Sequence, residues 1–118
     1  MLKRRGRFSC CEVGQGPGGP LIFPLPWATD ESASFLVTPA MTRQILEEAG
    51  LGISEEIDLS EASIAFIREM RARAERGDPP LNAVHVIMGD DIGDRIRNVG
   101  RCAIEKRVVE HLIMAEKP

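Results

Sequence analysis

The apolar positions of this chain fall into short runs of two different periods, and those periods predict its elements. "RFSCCEV", Arg7 to Val13, is short and mostly apolar; it predicts a strand ending where "GQGPGG" forbids regular structure. "TPAMTRQILEEAG" predicts a helix. Thr38 is placed to cap it, Pro39 takes the first helical position, and Gly50 stands just past its end. Met41, Ile45 and Ala49 recur every fourth residue with Leu46 beside them, so that face is expected to pack. In "ISEEIDL" the period drops to two. Ile53, Ile57 and Leu59 are expected on one strand face, and Ser54, Glu56 and Asp58 on the other. The carboxylates suit an edge strand, where charge discourages stray pairing.

"SEASIAFIREMRARAERG" returns to helical spacing, with Ile64, Ile67 and Met70 as its apolar stripe and Glu69 and Arg73 as an i,i+4 pair. Gly77 before Asp-Pro-Pro is its stop signal. In "PLNAVHVIMGDDIGDRIRNVG" the spacing of Val84, Met88, Ile92, Ile96 and Val99 is helical, but Gly89 and Gly93 weaken the middle. One helix, or two shorter ones broken near Gly89, are both open readings. "RVVEHLIMAE" is apolar with little alternation and predicts an inner strand covered on both faces. The order strand, loop, helix, strand, helices, strand predicts an α/β fold, α+β when the chain is taken alone. Its single sheet has the last strand in the centre, antiparallel at least to "ISEEIDL".

The segment 14–37 contains the only tryptophan and four of the eight prolines. It is either a disordered linker or an ordered loop closing over something, and the loop is the favoured reading. Proline lowers the entropy lost on ordering, and Trp27 brings a large apolar surface.

Length and composition narrow the functional classes. A chain of 118 residues is one domain or a piece of a larger one. The net charge of −3 gives no global attraction to nucleic acid or an anionic membrane. The basic opening "MLKRRGR" has no aromatic stacking platform to make it a nucleic-acid arm. No apolar run reaches the ~20 residues of a membrane span. Three cysteines, two of them adjacent, make no disulfide framework, so the expected compartment is the reducing cytoplasm.

The familiar catalytic constellations fail in turn. Cys10, Cys11, Cys102, His85 and His111 lack metal-ligand spacing, and the plain reading of the cysteines is small buried residues. A Cys–His nucleophile pair is not excluded by sequence distance. "GQGPGG" makes a poor phosphate cradle, because Pro17 lacks a donor and no helix begins directly after the glycines. Glu12, at the carboxyl end of a strand and before a Gly-rich loop, stands where ligands sit in open α/β sheets; its plain alternative is a solvated strand end.

Together these segments resemble the C-terminal half of class I S-adenosylmethionine-dependent methyltransferases. In "LKRRGRFSCCEV", Leu2, Lys3, Gly6, Arg7, Phe8 and Glu12 match the family's entry into its fifth strand, while Arg4 and Arg5 replace the usual Pro-Gly. "PLPWATDESASFLVTPAMTRQILEEAG" is similar to the loop and helix that follow, in the branch acting on small metabolites. "NVGRCAIEKRVVEHLIMAEKP" resembles that branch's ending, with Asn98 and Arg101 before the last strand. The resemblance implies that 1–118 is a partial, Rossmann-like domain. Segment 14–37 would then be a lid and substrate-pocket wall, with Glu12, Gln15 and Trp27 facing a small-molecule substrate. For Trp27 a core role is an equal alternative. The family's cofactor site, a glycine turn and an acid after its first two strands, has no counterpart here. S-adenosylmethionine is therefore implied for the intact enzyme and not expected to bind this chain alone, which should be inactive. No catalytic residue is identified. The implied partner is a missing N-terminal half or a second copy, with no nucleic acid and no membrane. The alternative is a stand-alone α+β module that oligomerises or binds a small ligand without catalysis.

Overall fold

The computed structural model describes residues 2–79 and 89–118. Its elements run β1 (Arg7–Gln15), a short 3-10 turn (Glu31–Ala33), α1 (Pro39–Glu48), β2 (Gly52–Asp58), α2 (Ser60–Glu75), α3 (Ile92–Ile104) and β3 (Val108–Glu116). The fold is mixed α/β. One sheet has the order β1-β3-β2, and β3 is antiparallel to both neighbours, so β1 and β2 run parallel to each other. The central place expected for the last strand is found: Val108, His111, Ile113 and Ala115 are buried, and Ile113 is fully enclosed.

Register decides which residues share a face. Val13 pairs with Glu110 and Gln15 with Val108, and α2 and α3 lie over that face through Ser63, Ile67, Val99 and Ala103. Gly14 pairs with Val109, and Glu12 and Asp58 both pair with His111 on the other face, where α1 begins. β1 runs two residues beyond the expected Val13, because Gly14 and Gln15 keep their pairing with β3 before the loop departs.

Helix signals held where they were chemical. The Thr38 side chain accepts from the Met41 amide, Pro39 opens α1, and Gly50 at φ +87° closes it. The packed face of α1 is a correction. Met41 and Ile45 are 45% and 50% exposed, Ala49 is exposed too, and the residue α1 buries is Thr42. The Gln15 amide donates to the Val37 carbonyl just before the helix, and Arg43 pairs with Glu56 of β2. In this setting Thr42 is buried and the apolar stripe is turned outward.

β2 corrects a second expectation. A bulge between Ile53 and Glu55 shifts the register, so Ile53 pairs with Ala115 and Ile57 with Leu112, on opposite faces. In α2 Ile64 is buried as expected, but Glu69 meets Arg76 at 3.6 Å rather than Arg73, which donates to the Pro79 carbonyl. Of the glycine-weakened region, Ile92 to Ile104 is helical, whereas Val84, Met88 and His85 lie outside the described residues.

Candidate functional site

The glycine-rich start of the long loop owes its composition to close packing. Gly16 and Gly18 donate to the carbonyls of Arg107 and Lys106, tying the loop to the α3–β3 turn. A Cβ on Gly16 would stand 2.3 Å from the Lys106 oxygen, and one on Gly18 2.0 Å from that of Glu105. Only a residue without a side chain allows this approach.

The rest of the loop is held along α3. Leu25 is fully buried and forms a cluster with Cys102 and Val108, against which Val13, Phe23, Trp27 and Leu36 pack. Burial on that scale stabilises by about 1.5–3 kcal/mol per large side chain. Side chains of α3 take up the carbonyls that an irregular segment leaves over. Arg95 donates to the Leu25 oxygen at 2.5 Å and Asn98 to that of Pro24 at 2.9 Å. Arg107 reaches the Pro20 oxygen at 2.6 Å, and Trp27 Nε1 donates to Ser34 at 3.2 Å. The loop therefore has the hydrogen bonds and core of a folded element.

Two open clefts flank its root and share Gln15. The first, about 320 Å³, lies under the loop between Gln15, Pro20, Leu21, Phe23, Glu31 and Ser34. The second, about 570 Å³, lies across the sheet, between the first turn of α1 and the β2–β3 pair. Gln15 stands at both mouths. Glu12 is exposed on the face of β1 opposite Gln15, cross-strand from His111. Trp27 is half-buried in the loop core and lines neither cleft. The three residues singled out from the sequence thus occupy three different surroundings.

The three cysteines are free thiols in three surroundings. Cys102 is buried, its Sγ accepting from the Ile22 amide at 3.4 Å; Cys10 is half-buried and Cys11 exposed, against the expectation that all are enclosed. Loss of solvation and then the nearby Glu12 carboxylate push the Cys10 thiol up; for Cys11 the second cause is Glu110. A thiol pushed up is less of a thiolate at neutral pH and so a weaker nucleophile. Of the two histidines of a Cys–His pair, His85 lies outside the described residues. Among the described residues no cluster of three or more His, Cys, Asp or Glu could hold a metal ion. None of the described helices is long and apolar enough to cross a membrane.

What the sequence pattern missed is the polar side of the loop's anchorage, Arg95, and not the burial of His111, which follows from the inner strand it expected. His111 is 6% exposed, and its Nε2 has no hydrogen-bond partner among the described residues. Its position in an apolar run was the available signal, since a polar residue in an inner strand must be buried. No protein-family model and no curated protein matches the chain.

Proposed function

We propose that this chain is the C-terminal part of a class I S-adenosylmethionine-dependent methyltransferase domain of the small-metabolite branch, supplying lid and acceptor-pocket wall. The observation that carries the reading is the sheet: the last strand lies between the other two and antiparallel to both, the order the sequence resemblance implies. The loop 14–37 is the lid of this reading, and the cleft beneath it at Gln15 is the part of the pocket this chain contributes. Asn98, one of the residues carrying the resemblance, anchors that loop at the Pro24 carbonyl. Methyl transfer is a direct displacement at the cofactor's methyl group, to which such a wall contributes alignment and exclusion of water. The cofactor would be held by the complementary half, and the present chain alone is inactive in this reading. Glu12 stands on the other side of β1 from that cleft, so Gln15 is the stronger candidate for acceptor contact.

The coding DNA next to this chain tests the reading. A neighbouring or in-frame segment encoding a strand, a Gly-rich turn and a helix, with an acid ending the next strand, is the expected result. Its absence overturns the reading, as does saturable micromolar binding of S-adenosylmethionine to the isolated chain in calorimetry.

A second reading, a stand-alone module that pairs with a copy of itself, is favoured by one observation. Phe35, Met41 and Ile45 are 84%, 45% and 50% exposed, an apolar surface on the loop end and α1.

A further inference from the structure

β1 is an edge strand of nine residues, long for a strand, with one side against β3 and the other open. In an antiparallel ladder, successive residues turn their backbone groups to opposite sides. Gly6 accepts from the Lys117 amide and Gly16 donates to the Arg107 carbonyl, and the register between them is unbroken, so the even-numbered residues face β3. The amides and carbonyls of Arg7, Ser9, Cys11, Val13 and Gln15 therefore point away from the sheet. The Val37 carbonyl takes the Gln15 amide; among the described residues no backbone partner reaches the other four on that side. Arg7, Ser9 and Cys11 are exposed. The opposite edge of the sheet is guarded, because β2 carries a bulge and the carboxylates of Glu55, Glu56 and Asp58. Between Arg7 and Val13, β1 has no bulge, no proline and no lysine, and such an edge accepts another strand.

The strand that fits this edge best is β1 itself. A two-fold axis at Cys10 sets Arg7 opposite the partner's Val13 and Ser9 opposite the partner's Cys11, which bonds all four open residues on both chains. Neighbouring registers are poorer. A slide of two residues one way brings Arg7 against the partner's Gln15, whose amide Val37 already occupies. The other way, Val13 meets the partner's Arg5, whose amide is bound within its own chain to Lys117. In the Cys10 register each Glu12 lies opposite the partner's Phe8, and the two carboxylates are about 13 Å apart along the strands. Charge agrees beyond the strand. The exposed Lys3, Arg4 and Arg5 lead into Arg7, so they pass the end where the partner's Gln15 and the partner's Val37 stand. Glu31 shares a cleft with Gln15 there, next to the exposed Asp30, so a basic arm meets an acidic loop on both sides of the axis. Phe35, 84% exposed, belongs to the same loop end. We propose that two copies of this chain join edge to edge through β1, antiparallel about Cys10, into one continuous sheet. The proposal rests on the reading of the chain as a module that pairs with a copy of itself, and it names the surface.

Cys10 then faces the partner's Cys10 in a non-hydrogen-bonded pair, with Cα atoms about 4.5 Å apart and within disulfide reach, whereas Cys11 is offset from the partner's Cys11. Light scattering of the full, reduced chain across a dilution series should find a dimer. Diamide, which takes up the two thiol hydrogens as the disulfide forms, should link Cys11→Ser into a covalent dimer at mildly alkaline pH and leave Cys10→Ser unlinked. Ser9→Pro removes one outward amide per chain and spares the bonds to β3. It should weaken association at least about tenfold with an unchanged far-UV circular dichroism spectrum. If Ser9→Pro does not fold, the two cysteine variants still decide. A dimer that diamide does not link through Cys10, or that a folded Ser9→Pro leaves at full strength, overturns the edge pairing and leaves self-association through another surface. A chain that stays monomeric at high micromolar concentration overturns the proposal together with the reading beneath it.

Discussion

The two flanks of the sheet are built in opposite ways. On one, an irregular loop of prolines and glycines is committed through its middle: Leu25 is enclosed, and α3 and the turn after it take the carbonyls of Leu25, Pro24 and Pro20 through Arg95, Asn98 and Arg107. On the other, a well-capped regular helix buries only Thr42 and turns Met41 and Ile45 to solvent. Regularity and commitment to the core are therefore separate properties in this chain. A segment becomes integral when its backbone polar groups and apolar side chains find partners, whatever its dihedral pattern.

The largest break of this contrast is on the loop side. Leu25→Ala should cost about 2–5 kcal/mol, because the site is closed on all sides by α3 and the end of β1 and collapses poorly. Chemical denaturation measures it. A loss below about 1 kcal/mol would mean the loop is not part of the cooperative unit. Asn98→Ala comes next, at about 1–3 kcal/mol, since it leaves the Pro24 carbonyl without its donor. Its sharper readout is local: amide exchange in the loop should accelerate more than in β3.

How much of this was legible depends on where each signal resides. Thr38, Pro39 and Gly50 act on backbone groups within one turn, so their roles could be read from the sequence alone, and the structure has them as read. The inner place of β3 was readable because an apolar run without alternation must be covered twice. The outward turn of α1 was not. Periodicity says that a helix has an apolar face, and what that face meets is decided by the rest of the fold, far from the pattern itself. The bulge at Ser54 was equally hidden, since one inserted residue keeps the composition and reverses the faces. Of the residues expected to face a substrate, Gln15 lines both clefts and Trp27 packs in the loop's core, the alternative its aromatic character also allowed. Arg95 went unnoticed because its importance comes from the loop carbonyl that the fold brings to it.

A smaller test strengthens the committed flank. Lys106 sits at φ +57° in the turn that receives the glycines. A left-handed residue with a side chain costs about 1–2 kcal/mol. Glycine would relieve that strain but lose about 0.5–1 kcal/mol through its unfolded-state freedom. Lys106→Gly should therefore raise stability by up to about 1 kcal/mol, read as a higher denaturation midpoint at unchanged slope. A lower midpoint would mean that the lysine stem contributes more than the strained backbone costs.

The smallest effect on stability is expected on the other flank, and it carries the most information about partners. Met41 and Ile45 are a turn apart and half-exposed, so replacing them together, Met41→Glu with Ile45→Lys, should change the folding free energy by no more than about 0.5 kcal/mol. The new pair is also spaced for an i,i+4 interaction in the favourable order, which offsets lost apolar contact. If the stripe is where a second copy docks, light scattering across a dilution series should find a dimer for the parent chain. The double variant should then be a monomer of equal stability. Phe35→Ser, on the most exposed apolar residue of the loop end, should weaken the same association without touching the helix. A parent chain that stays monomeric at high micromolar concentration overturns self-association and leaves a complementary half as the partner to seek. A stability loss of about 2 kcal/mol or more in the double variant would overturn the outward rotation of α1 itself, and with it the contrast between the flanks.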